Sequence, residues 1–297
     1  MNNRHTSSIS MARMMQKSKP YLFLLPALVF IIMFTYYPFV ETIINSFFKL
    51  NNKAQRVEFV GLKNYFQVFK AKNFNNSLYN SIRFTVMTVP FNISISLILA
   101  LLAEKKHRFS WLYEVMFSLP MAISMSATCM IFKLLLNNSI GLLNYSLGLN
   151  IKWFFDKKTA LWGIAIITVW QNIGYEFLYL SAALRNVPQD VLEAATVDGA
   201  NWIYRTIRIV FPLISPTLFY LFCLDLIAGM MMSGPVMVLT NGGPRNSTET
   251  LVYHMYSKTI SGTNMGYGYA ISIVIFLIVF LLVLLSFKAE KKGVYYE

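Results

Sequence analysis

Two carboxylates, Glu176 and Asp225, stand inside apolar runs of the chain. Ionisable groups at such positions are costly and tend to be functional. They could couple a proton or sodium gradient to transport, or pair with groups on other helices. Most other chemistries lack their parts. His5, His107 and His254 stand alone, without the helical pairing of a zinc site. Cys129 and Cys223 are the only cysteines and both lie in apolar runs, which excludes a disulfide scaffold and suits small buried side chains. No G-x-x-x-x-G-K-[ST] loop and no G-x-S-x-G turn occurs, so the chain neither cradles a nucleotide nor presents a nucleophile elbow. An enzyme acting on lipid-linked sugars would need paired acids or a metal cluster, and the carboxylates are scattered singly. No cofactor is expected, and energy for any uphill work must enter from elsewhere.

The elements that would hold these groups follow from composition. Of 297 residues 56% are apolar and 13% charged, and the mean hydropathy is +0.51. A soluble domain carries about 25% charged residues, so this chain belongs in a membrane. Its net charge of +13 is spread over every connection between apolar runs, which points to anionic lipid headgroups and not to nucleic acid. A crossing takes about 20 residues. Six stretches qualify: 21–44, 82–103, 113–134, 160–183, 211–233 and 268–287. The fold class is therefore an all-α membrane protein with six transmembrane helices. The first run has a basic tail before it, but Tyr36-Tyr37-Pro38 follows in place of small residues, so it reads as an uncleaved span. With the N-terminus inside, Lys and Arg number 13 on the inner side against 11 outside, a thin margin for both termini being cytoplasmic. The first and last spans are nearly unbroken apolar runs. The inner four carry Asn92, Ser94 and Ser96; Ser118, Ser124 and Ser126; Gln171, Asn172 and Glu176; and Asp225, which should face other helices or a water-filled cavity. Two outer and four inner helices suit a pathway.

Between the fourth and fifth spans, Pro188, Asp190 and Glu193 suit the start of a helix and Gly199 its stop, predicting a short helix at 188–198 and a second one from near 200 into Pro212. Small residues at Ala194 and Ala195 leave a face on which another protein can settle closely. The spacing Glu193-Ala194-Ala195, three residues, Gly199, nine residues, Ile209, one residue, Phe211-Pro212 resembles the EAA loop of ABC importer permeases, with Phe211 where leucine is usual. Leu25-Pro26-Ala27, Phe59-Val60-Gly61-Leu62-Lys63-Asn64-Tyr65, Gly141-Leu142-Leu143-Asn144, and Leu239-Thr240-Asn241-Gly242-Gly243-Pro244 with Thr248-Glu249-Thr250-Leu251 are similar to segments of sugar permeases. Over roughly 21–287 the chain resembles the first membrane subunit of maltose- and glycerol-3-phosphate-type carbohydrate importers.

That resemblance implies a type I ABC importer transmembrane domain at 21–287, with cytoplasmic tails at 1–20 and 288–297 and a cytoplasmic coupling loop at 187–212. It implies a multi-pass subunit of a prokaryotic cell membrane that is not itself an enzyme. Its implied partners are a second permease subunit forming a heterodimer, two ATP-binding subunits beneath, and an extracytoplasmic binding protein delivering a sugar or sugar-like solute. Glu193, Ala194, Ala195, Asp198, Gly199 and Pro212 would couple to the ATPase. Alignment to maltose-type permeases places solute contacts on Gln171, Asn172, Asp225, Ala228, Gly229, Met232, Met121 and Met125. Asp225, Gly229 and Met232 share one helical face. A carboxylate or an amide suits a sugar's hydroxyls, although Asp225 could equally pair with an inner helix and the methionines could be packing. A carboxylate at 225 argues against a phosphate-bearing solute. Glu176 could face a charge on the partner subunit, and Lys133 should snorkel to the interface. The rival reading, a gradient-driven secondary transporter, would leave the EAA spacing unexplained and lacks a visible inverted repeat.

Overall fold

Hydrocarbon offers a backbone no hydrogen bonds, so each crossing segment must satisfy its own N–H and C=O groups, and helices do this. The computed structural model describes residues 21–51, 53–104, 110–260 and 264–293. The basic tail at 1–20, the charged loop residues 105–109 and the end at 294–297 lie outside the described residues. Four helical stretches are long and apolar enough to cross a membrane: α1 (Tyr21–Asn45), α3 (Lys72–Glu104), the stretch Trp202–Leu239 and Met265–Lys288. The fourth expected span, α7 (Ala160–Arg185), has 26 residues and a length of about 39 Å, but Gln171, Asn172 and Glu176 dilute its apolar character.

The third expected span, 113–134, is not one helix. It is α4 (Ser110–Ala122) and α5 (Met125–Leu135), with the two arms bent by 100°. Pro120 falls in the last turn of α4, and Ser124, in an extended conformation, caps α5 by accepting the Ala127 N–H at 3.3 Å. Proline also shapes two other spans. A wide π-turn at Ile32–Tyr36 precedes Pro38, and another at Thr206–Val210 precedes Pro212. In each, the N–H of the residue before proline reaches back five residues, to Ile32 or Thr206, which makes room where the ring would strike the carbonyl below it.

At one end of the bundle lie a hairpin of β1 (Phe48–Leu50) and β2 (Arg56–Phe59), α2 (Lys63–Lys70), α6 (Leu142–Ser146), α11 (Gly234–Leu239) and α12 (Leu251–Ile260). The hairpin is a small departure from an all-helical chain. At the opposite end are α8 (Gln189–Val197) and α9 (Trp202–Arg205), which runs through the π-turn into α10 (Phe211–Met230). The last span, α13 (Met265–Gly293), was expected to be outer, yet Ala270, Ile271, Val274 and Ile275 are buried with Val68, Phe74 and Met230. α1 alone fits the outer description, since none of its apolar window is buried and it meets α13 through the Phe39–Phe276 ring contact at 5.1 Å.

Amide and hydroxyl side chains bind the loops at the hairpin end. Asn64 donates to the carbonyls of Ser46 at 2.8 Å and Phe48 at 3.1 Å. Asn144 donates to Ile151 O at 2.9 Å and accepts from Trp153 Nε1 at 3.0 Å. Thr248 donates to Gly243 O, Thr250 to Met232 O, and the Leu251 N–H to Ser81 Oγ. Asn80, on α3, donates to the carbonyls of Asn246 and Glu249 at 2.9 and 3.0 Å. Replacing Asn80 by Ala leaves these carbonyls short of a buried donor and should lower stability by about 1–3 kcal/mol, measured as earlier thermal unfolding in detergent.

Candidate functional site

The stretch between α7 and α10 is fixed by local chemistry. Pro188 has extended backbone and stands just before the helix, which starts at Gln189, with Asp190 in the first turn. Gly199, at φ +80°, ends it: the Ala200 N–H bonds to Ala195 O at 2.9 Å and the Gly199 N–H to Thr196 O at 3.0 Å, the paired bonds of a Schellman stop. Asn201 then caps α9 by accepting the Tyr204 N–H at 2.8 Å. Arg205 ties the two short helices together by donating to Thr196 Oγ1.

The structure divides the alanine pair. Ala195 is buried and Ala194 exposed, and Leu192 packs against a core that includes Leu184, Val187 and Val210. Glu193, Ala194, Asp198, Gly199 and Pro212 are exposed, together with Val197 at 88% and, beyond the turn, Trp202, Ile203 and Tyr204. Behind α8 opens a cleft of ≈ 770 Å³ lined by Glu104, Glu114, Arg185, Gln189 and Glu193, in which Glu114 and Arg185 form an ion pair.

A second cavity, of ≈ 260 Å³, lies deep among α3, α5, α7, α10 and α11. Asn172, Asp225, Ala228, Gly229, Met232 and Met125 all line it, so most of the residues expected to meet solute share one space. Asp225 is only 2% exposed and is held on both oxygens: Tyr175 donates to Oδ1 at 2.6 Å and Asn92 Nδ2 to Oδ2 at 3.1 Å. Both readings of this carboxylate are therefore present together, a wall of the cavity and a tie between inner helices. Gly229, one turn on, is where α10 meets α3 closely; a Cβ there would lie 2.7 Å from Thr85 Oγ1.

Gln171 and Met121 are not in this cavity. Gln171 points to the break between α4 and α5, where Nε2 donates to the freed carbonyl of Ile123 at 2.8 Å. Met121, on α4, is half exposed outside the cavity. Sequence reasoning missed Tyr175, Phe84 and Thr88 as companions of Asp225. For Tyr175 a signal was available: Asn172, Tyr175 and Glu176 stand at i, i+3 and i+4, one face of a helix. Likewise Thr88, Asn92 and Ser96 form one row on α3.

Residues 92–289 match the family described as binding-protein-dependent transport system inner membrane component. The chain is 31% identical over 282 residues to the sn-glycerol-3-phosphate transport system permease protein UgpA of Pectobacterium atrosepticum, covering 94% of this chain and 96% of that one. It is also 31% identical over 282 residues to the probable ABC transporter permease protein YurN of Bacillus subtilis, covering 92% and 96%. In fold it is similar to a chain of a bacterial ABC transporter involved in the import of the acidic polysaccharide alginate, with a TM-score of 0.82, 18% identity and coverage of 94% and 99%. These relatives favour an ATP-driven importer over a gradient-driven carrier.

Gly229→Ala forces α10 away from α3 and should lower stability by about 1–3 kcal/mol, the usual range for overpacking. Thr85→Ala in the same chain removes the atoms nearest the new methyl and should restore part of the loss, read by thermal unfolding of the single and double variants.

Proposed function

The chain belongs to the family of binding-protein-dependent transport system inner membrane components, and on that footing we propose that it is the permease subunit of a carbohydrate importer whose α8 transmits ATPase motion to a solute cavity beside Asp225. It pairs with a second permease in the cell membrane, with two ATP-binding subunits on the α8 face and an extracytoplasmic binding protein at the hairpin face. That assignment makes the α8 end, and with it both termini, cytoplasmic.

The observation that carries this reading is the construction of α8. It is held by its Schellman stop, presents Glu193, Ala194 and Val197 outward, and continues through α9 and a π-turn directly into α10. A push on the exposed face reaches the helix that bears Asp225 without crossing a loose loop. Rigid connection of this kind lets a docked ATPase swing the inner helices between two packed arrangements. Glu193 is placed to accept a charge-assisted hydrogen bond from a docked subunit.

The cavity suggests the kind of solute. Its volume of ≈ 260 Å³ is below that of a drug-sized pocket, about 300–1,000 Å³. It offers Asp225, Asn172, Thr88 and Thr168 as hydrogen-bonding groups beside Phe84 and methionines. This is the chemistry of a small polyhydroxylated, uncharged solute: hydroxyls for the carboxylate and amide, and carbon faces for Phe84 and the methionines. A phosphate would meet repulsion from Asp225. UgpA is named for sn-glycerol-3-phosphate transport; for this chain the charge of Asp225 argues for an uncharged solute.

In the reconstituted importer, Glu193→Lys or Gly199→Asp should reduce solute-stimulated ATP hydrolysis by more than about ten-fold, the effect of losing about 1.4 kcal/mol, while membrane insertion stays intact. Normal stimulation in both variants would remove α8 from the coupling path. In uptake assays with labelled monosaccharides, polyols and glycerol 3-phosphate, the parent should take up a neutral solute and not glycerol 3-phosphate, and Asp225→Asn should weaken uptake of that neutral solute. Uptake of the phosphate by the parent chain would overturn the solute class.

A further inference from the structure

Glu176 lies on α7 directly after the tyrosine that holds Asp225, and it is fully buried at membrane depth. Its carboxyl lies within reach of Asp225 and of the Ser96 hydroxyl, yet neither of its oxygens receives a well-aligned donor. Asn92 Oδ1 and Ser96 Oγ, at 1% and 0% residue exposure and one turn apart on α3, are also without partners. The neighbouring carboxylate is the opposite case, because both oxygens of Asp225 receive donors. Among the described residues no ion pair reaches either acid. The cluster is rich in acceptors, has the Ser96 hydroxyl as an uncommitted donor, and among the described residues has no cation to balance its two acids.

Two ionised carboxylates side by side in a low-dielectric site repel strongly, and such pairs hold a proton in common. A buried water would supply donors but would leave both charges in place. A hard metal ion takes about six or more oxygens, and the orphaned atoms here are Asn92 Oδ1, Ser96 Oγ and the two oxygens of Glu176. A proton removes one charge and turns Glu176 into a donor for one neighbour, Asp225 or Asn92 Oδ1, while the Ser96 hydroxyl can donate to the other Glu176 oxygen.

We propose that Glu176 and Asp225 form a proton-binding site joining α3, α7 and α10, with the proton resident on Glu176 and the remaining negative charge on Asp225 at the cavity wall. Glu176 is then a positioning residue, acting through Asp225. The assignment stands on the hydrogen-bond geometry and is independent of which solute the cavity takes.

The experiment is infrared difference spectroscopy on the assembled importer in lipid nanodiscs, parent against Glu176→Gln, with thermal unfolding of both and of Glu176→Ala. The expected result is a protonated-carboxyl C=O band in the parent that shifts in D₂O, vanishes in Glu176→Gln and persists in Asp225→Asn. Glu176→Gln, which keeps a donor without a charge, should melt with the parent, and Glu176→Ala should melt earlier. Absence of the band from the parent, its survival in Glu176→Gln, or equal destabilisation by Gln and Ala would overturn the proposal. A rise in melting temperature with sodium that Glu176→Gln abolishes would instead assign the site to a metal cation.

Discussion

A polar side chain inside a bilayer has to find its partner within the protein, and the bundle is organised around one place where that demand is met by three helices together. Asn92 from α3 and Tyr175 from α7 both donate to Asp225 on α10. Two of these helices are joined again one turn away, where Gly229 lets α10 touch Thr85. Apolar packing alone would allow such helices to slide, since lipid and leucine are nearly equivalent surroundings. Hydrogen bonds to a buried carboxylate set the register, and the cavity beside them takes its shape from that register.

The same economy of polar groups governs the loops. Asn64, Asn80, Asn144, Thr248 and Thr250 each direct a side chain at a backbone carbonyl of a neighbouring segment. These residues fall in or near the segments whose patterns resemble sugar permeases. Their role in the structure is mechanical: they hold the irregular connections at the hairpin end against the ends of α3 and α10.

How much of this could be read from residue order depends on the range of the forces involved. Helix stops are local, so Gly199 and Asn201 announce the turn after α8 by themselves. Spans are nearly local, because a run of about 20 apolar residues has few other fates. The break between α4 and α5 is harder, since Pro120 and Ser124 occur in a stretch apolar enough to pass as a continuous helix, and the amide that satisfies the freed carbonyl comes from Gln171 on another element. The same distance hid the true position of Gln171, whose type and neighbours fitted a solute contact. Which side of a short helix faces inward is decided by the core it lands on: Leu192 packs with Leu184, Val187 and Val210, and Ala195 is buried where Ala194 is exposed. The inward face of α13 is invisible in an unbroken apolar run, where lipid and protein surroundings select the same residues.

The isolation of α1 has a consequence for how the molecule is made. Because its apolar window touches almost none of the bundle, this helix is stable in lipid without its neighbours, whereas the segments bearing Asn92, Glu176 and Asp225 are comfortable there only in one another's company. Forming the bundle therefore turns on bringing those polar segments together, a condition that α1 does not share.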